Sequence, residues 1–149
     1  MTRFTFSLER VLAVRRAQAS VELGQLEQLR SQLAALSRER ADLAGSVLTS
    51  GREVAEAGAR HLAGHLRSVE NFAGFARQQD ARFAEWIEHK RREIEDQQWR
   101  VQQAEQSCRL LEKLEERQRA DWERAAGHEL EELAADSYLA QWSRRSRAG

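Results

Sequence analysis

A chain of 149 residues with 24 basic and 24 acidic side chains and no net charge has the length of one domain, but it builds no broad field that would attract nucleic acid or an anionic membrane. It contains no proline and is rich in Arg, Glu, Ala, Leu and Gln, which lose little side-chain freedom in a helix. Isoleucine occurs only at Ile87 and Ile94 and tyrosine only at Tyr138, so no segment offers the alternating β-branched pattern of a strand and the fold class is all-α.

The first helix is predicted to open at Ser7, whose hydroxyl can cap the orphan amides, with Glu9 facing the positive end of the helix dipole. Phe6 at N′ and Val11 at N4 have the spacing of a hydrophobic staple. Leu26, Leu29, Leu33, Leu36, Arg40, Leu43 and Val47 then recur in steps of three and four. That is one narrow seam, and it suits one partner helix.

Gly45, Gly51, Gly58, Gly64 and Gly74 follow. Each erodes helix stability by up to ~1 kcal/mol relative to alanine, so the chain is expected to reverse among them. Ser68 followed by Glu70 can cap a second helix, while Ser50 with Glu53 has capping-box spacing that would restart one after a break. These signals place helix one over about residues 7–60, the turn over about 58–68 and helix two over about 69–141, with a turn as early as residue 45 left open. A helix of ~50 residues is ~75 Å long, so the expected single domain, 1–149, is a thin antiparallel hairpin.

A second seam runs through Phe83, Ile87, Lys90, Ile94, Gln97, Val101, Ala104, Cys108 and Leu111, and the two seams can pair. Trp99 falls about half a turn from Gln97 and Val101 and so belongs on the outer face, either as an interface anchor or lying flat across arginine stems. The lone cysteine, Cys108, sits on the apolar stripe and fits a structural role in a reducing compartment. Beyond about residue 120, helix two is expected to outrun helix one, leaving Trp122, Leu130, Leu133, Tyr138, Leu139 and Trp142 without an intramolecular partner. The basic run Ser143-Arg144-Arg145-Ser146-Arg147 reads as a solubilising tail or as a contact for an acidic surface.

Catalytic chemistry is hard to find. No phosphate-cradling glycine motif occurs, so nucleotide hydrolysis would belong to a partner. His61 and His65 are four apart and can share a helix face, but no HExxH pattern or nearby cysteine makes them a metal site. The acidic residues alternate with arginine, as over Glu112 to Arg119, in the manner of a solvated helix surface. A two-helix hairpin also has little concavity in which to exclude water, so no enzyme and no cofactor is expected. The first twelve residues carry no apolar run of the kind a signal peptide needs, and no stretch approaches the ~20 residues of a membrane span.

The string Phe4-Thr5-Phe6-Ser7-Leu8-Glu9-Arg10-Val11-Leu12, followed by Arg15, resembles the opening of the flagellar export protein FliJ family, F-x-F-x-L-E-x-V-L-x-x-R. Leu111-Glu112-Lys113-Leu114-Glu115-Glu116-Arg117 is similar to that family's L-E-K-L-x-E-R segment. Near the end, Asp136 matches an acidic position of the family, while Ser137 departs from it where the family often has an Asp-Glu pair. The resemblance implies an antiparallel coiled-coil stalk in the bacterial flagellar type III export apparatus, cytoplasmic and held at the inner membrane only through its partners. Those partners are the hexameric export ATPase FliI, the export gate FlhA and empty export chaperones. By position, Phe72, Ala76, Gln79 and Phe83, with Phe75 alongside, match the family's gate-contacting stripe, although these phenylalanines could equally pack the hairpin. The ATPase-binding surface implied by the two matching segments comprises Phe4, Phe6, Leu8, Val11, Leu12, Arg15, Leu114, Arg117 and Trp122. The alternative is a generic coiled-coil tether that homodimerises through the same seams.

Overall fold

The computed structural model describes residues 2–56 and 62–149, the side chains of residues 62, 63 and 65 excepted. Two helices make up the fold, α1 (Glu9–Glu56) of 48 residues and α2 (Leu62–Ala148) of 87 residues, with no strand among the described residues. Continuous helices of this length need a sequence without proline, which would remove a backbone donor and clash with the preceding turn.

Local helix signals gave way at several points. Gly45 and Gly51 lie inside α1 and Gly64 and Gly74 inside α2, because a dispersed cost of ~1 kcal/mol per glycine does not stop propagation along a helix that also packs on a neighbour. The Ser50 and Glu53 pair sits within α1 rather than at a restart. Ser68 caps nothing: its hydroxyl donates to the Gly64 carbonyl at 3.2 Å, the back-bond of a serine within a helix. Helix α2 therefore begins at Leu62 rather than near residue 69. Of the expected turn over 58–68, the part from Leu62 onward is helical, and the rest, with Gly58 and His61, lies outside the described residues.

At the start of α1, the Glu9 N–H donates to the Phe6 carbonyl at 3.2 Å and the Leu12 N–H to the Leu8 carbonyl at 2.9 Å. The capping position thus falls on Leu8, one residue after Ser7. Phe6 and Leu12 are buried while Val11 is 43% exposed, and with the cap on Leu8 the N4 position falls on Leu12 rather than on Val11.

The chain divides into two compact units, residues 20–103 and residues 1–19 with 104–149. In the first, Glu22 meets Gln97, Gln32 meets Lys90 and Arg40 meets Asp80. Numbers fall along one helix as they rise along the other, so α1 and α2 are antiparallel. Leu26, Ile94 and Val101 form the buried centre, with Leu29 and Leu33 packed against it, and Ile87 and Ala76 are buried further along the same row of α2. Ala76, Asp80, Phe83 and Ile87 keep the four-three-four spacing of the seam, which therefore begins earlier than the expected start at Phe83.

Polar rungs cross this seam. Arg40 donates from Nε to Asp80 Oδ1 at 2.7 Å and from Nη2 to Oδ2 at 3.1 Å, a two-pronged fork. The Lys90 ammonium bonds Gln32 Oε1 at 3.0 Å and Glu93 Oε2 at 2.9 Å. Buried Gln97 donates through Nε2 to the Glu22 carbonyl at 3.0 Å and also to the Glu22 carboxylate. Arg40 and Asp80 are both partly solvated, so their pairing does more to select register than to add stability.

The hydrogen bond from Arg40 holds the Asp80 carboxyl below its ordinary 3.8 against the opposing effect of desolvation, and the hydrogen bond from Lys90 likewise holds Glu93 below 4.5. Carboxyls depressed in the folded state contribute stability that is fully present above their unfolded values and is lost as pH falls through the folded ones. Thermal unfolding followed by circular dichroism is expected to show the midpoint dropping as pH falls below about 5. Asp80→Asn should flatten part of that drop, and an unchanged slope would show that the fork is not responsible. At the centre of the seam, Ile94→Ala leaves a cavity and is expected to lower stability in urea unfolding by about 2 kcal/mol or more. On the outer face, where Trp99 is 62% exposed, Trp99→Ala should stay within about 0.5 kcal/mol of the parent.

Candidate functional site

The second unit, residues 1–19 with 104–149, brings the start of α1 against the later part of α2. The Phe4 ring lies 6.0 Å from the Trp122 ring at an interplanar angle of 54°. The Arg119 guanidinium sits 5.3 Å from the centre of the same phenylalanine ring, within range of a cation–π attraction. About two turns into α1, Arg16 donates from Nε and Nη2 to Glu112 Oε1 at 3.3 and 3.1 Å. Phe6, Leu12 and Cys108 are buried.

The expected ATPase-binding set therefore separates into three kinds of residue. Phe6 and Leu12 are internal packing, and Phe4, Leu8 and Trp122 are half-buried. Val11, Arg15, Leu114 and Arg117 remain on the surface, with Arg15 donating to its neighbour Gln18 at 3.4 Å. Trp122 is not the unpartnered residue that the sequence implied, because the segment before α1 reaches back to it. Continuous exposure begins only at His128, and from there every residue of α2 except Ser143 is exposed. Leu130, Leu133, Tyr138, Leu139 and Trp142 are each more than half exposed.

The expected gate stripe also separates. Ala76 is buried between the helices, and Phe72, Gln79 and Phe83 are half-buried along the seam. The reason is spacing: a stripe at steps of four and three on α2 is the seam itself. Phe75 is the member that faces solvent, at 54% exposure. Trp86, which the sequence reading passed over, joins it. Phe75 and Trp86 are eleven residues, or about three turns, apart and so share a face. Trp86 is 49% exposed, and its ring meets Phe83 edge-on at 5.5 Å and 87°. The three-residue step from Phe83 to Trp86 was the available sequence signal for that pair.

On the opposite flank, Leu43, Val47, Ala73 and Ala76 line an open apolar groove bordered by Arg77 and Asp80. Among the described residues no group of three His, Cys, Asp or Glu side chains could hold a metal, and no helix is long and apolar enough to cross a membrane. The His61 and His65 pair lies outside the described side chains. Comparison with protein-family models, with curated proteins and with solved structures returns no match.

The Phe4 contact yields a direct expectation. In a protein whose Trp86, Trp99 and Trp142 are replaced by phenylalanine, Phe4→Ala should shift Trp122 fluorescence to longer wavelength. It should also cost about 1 kcal/mol of stability, the scale of an aromatic pair with a cation–π neighbour. An unshifted emission would mean that the two rings do not pack in solution.

Proposed function

We propose that this chain is a non-enzymatic component of the bacterial flagellar type III export apparatus. In this reading it is a coiled-coil stalk that binds the export ATPase FliI and links it to the export gate FlhA and to export chaperones. It works in the cytoplasm and reaches the inner membrane only through those partners. One observation carries the reading. The two segments that resemble the FliJ family, 4–15 and 111–117, are remote in sequence yet belong to one compact unit, each in contact with a residue beyond the end of the other, Phe4 with Trp122 and Glu112 with Arg16. A surface that engages a ring through both strands of a hairpin requires that juxtaposition.

The residues then take distinct roles. Val11, Arg15, Leu114 and Arg117 offer side chains to the ATPase, supported from beneath by Phe6 and Leu12. Phe75 and Trp86 are the aromatic contacts for the gate, with Phe72, Ala76, Gln79 and Phe83 holding the backbone that presents them. A stalk of this kind transmits position rather than chemistry, which suits paired helices whose side chains are largely engaged with one another or with water.

The test is steady-state ATP hydrolysis by the cognate export ATPase. The intact chain is expected to stimulate it. A chain ending at His128 keeps Trp122 and should retain the helicity of its remaining residues, while its stimulation falls several-fold for want of the exposed end of α2. Absence of stimulation by the intact chain would overturn the reading, and equal stimulation by both forms would take the C-terminal segment out of the ATPase contact.

A further inference from the structure

On the flank of the seam away from Phe75 and Trp86, the apolar groove continues past Asp80 toward Arg91. Its walls are mostly small, with Ala41 and Ala44 on α1 and Ala73, Ala76 and Ala84 on α2. Small side chains on both walls leave an open trough between two antiparallel helices. Leu48 stands at one end of it, 67% exposed.

Charge along the trough is one-sided. Arg40 and Asp80, between the walls, neutralise each other through their fork. On α1 the flanking residues Ser37, Ala41, Ala44 and Leu48 are uncharged. On α2, Arg77, Ala84 and Arg91 are spaced by seven and so lie in one row, and both arginines line the trough. Neither is neutralised. Arg77 donates from Nε to the Ala73 carbonyl of its own helix at 3.3 Å, and the acid three residues on, Asp80, is held by Arg40. Arg91 has Glu88 three residues before it and Glu95 four after, the spacing at which helix ion pairs form. Among the described residues it pairs with neither, and Glu88 pairs with Arg92 instead.

From this arrangement we infer that the trough receives one amphipathic helix of an acidic protein partner, which packs on α1 and α2 as a third helix. The shape asks for a helix, since a straight apolar groove between paired helices is filled by apolar residues recurring in steps of three and four. Alanine walls let that helix approach closely and require it to bring the large side chains, leucine or methionine, that meet Leu48 and fill the space. The charge names its flank. Arg77 and Arg91 are fourteen residues apart, about 21 Å along the axis, so acids two heptads apart on the incoming helix meet both. A basic helix would set its own cations against two arginines that have no counter-charge. The inference does not rest on the export reading, and the trough leaves free the Phe75 and Trp86 rings which that reading gives to the gate.

The experiment is fluorescence anisotropy, with the full chain titrated into a labelled synthetic peptide of about 21 residues. The peptide carries leucine at its heptad core positions and glutamate at two flanking positions two heptads apart, and a second peptide carries arginine at those two positions. The parent is expected to bind the glutamate peptide, more weakly as salt rises, and to bind the arginine peptide about tenfold less tightly or worse. Arg77→Glu with Arg91→Glu should invert that preference, an outcome that loss of folding cannot imitate. Leu48→Gln should weaken binding of the glutamate peptide several-fold with circular dichroism unchanged, whereas Phe75→Ala with Trp86→Ala should leave it as in the parent. No binding of the glutamate peptide by the parent, equal binding of the two peptides, or an unchanged preference after the reversal would overturn the inference. So would a parent dimer in sedimentation equilibrium that Leu48→Gln abolishes, because the occupant would then be a second copy.

Discussion

Within each compact unit the described parts of α1 and α2 pack on one another, so burial is confined to a seam one side chain wide. Everything else in the structure follows from that restriction. Among the described residues the hydrophobic side chains that reach burial are few, Phe6, Leu12, Leu26, Ala76, Ile87, Ile94, Val101 and Cys108, and none of these is sealed completely. Such a seam gives stability by repetition rather than depth. It also leaves large apolar side chains on the outer faces that a thicker fold would have covered.

A seam made only of repeated aliphatic residues is indifferent to sliding by a heptad, because each knob finds an equivalent hole. The rungs remove that freedom. Arg40 on α1 and Asp80 on α2 are both seam residues, and the fork between them satisfies two donors and two acceptors at one register only. Gln97 adds a buried amide that reads the Glu22 backbone, and Lys90 reads Gln32. A displaced α2 would place a lone arginine against an aliphatic position and bury an amide without its carbonyl, each a cost that the correct register avoids. The polar interruptions of the apolar pattern are thus what makes the pairing unique.

How much of this was legible in the sequence depends on the range of the interaction. The all-α class and the two seams follow from composition and from steps of three and four, which express contact averaged over many turns; Leu26, Ile94, Val101 and Cys108 lie where that pattern puts them. Short-range signals fared worse. Ser7, Ser50 and Ser68 each resemble caps, yet a cap decides a boundary only where the helix has some other reason to end. The glycines misled for the same cause. The gate stripe shows the opposite difficulty. Its positions were assigned by likeness to a family, but their spacing is that of the seam, so Ala76 is buried while Phe75 and Trp86 carry the exposed surface. The Phe4–Trp122 contact was out of reach, since a segment preceding the helix has no periodicity to extrapolate.

The exposed residues gain meaning when set against the seam. Along α2 the seam side alternates apolar side chains with rungs that find partners on α1, and acids and arginines on the outer side pair within the helix, as Glu88 does with Arg92 and Glu105 with Arg109. From His128 onward the buried seam ends, and beyond the pair of His128 with Glu132 the charges sort into blocks too far apart to pair within the helix. A segment meant only for solvent would be expected to keep the intrahelical pairs found elsewhere, and one meant to pack on α1 would show buried residues. The combination instead fits a surface whose partner lies in another molecule.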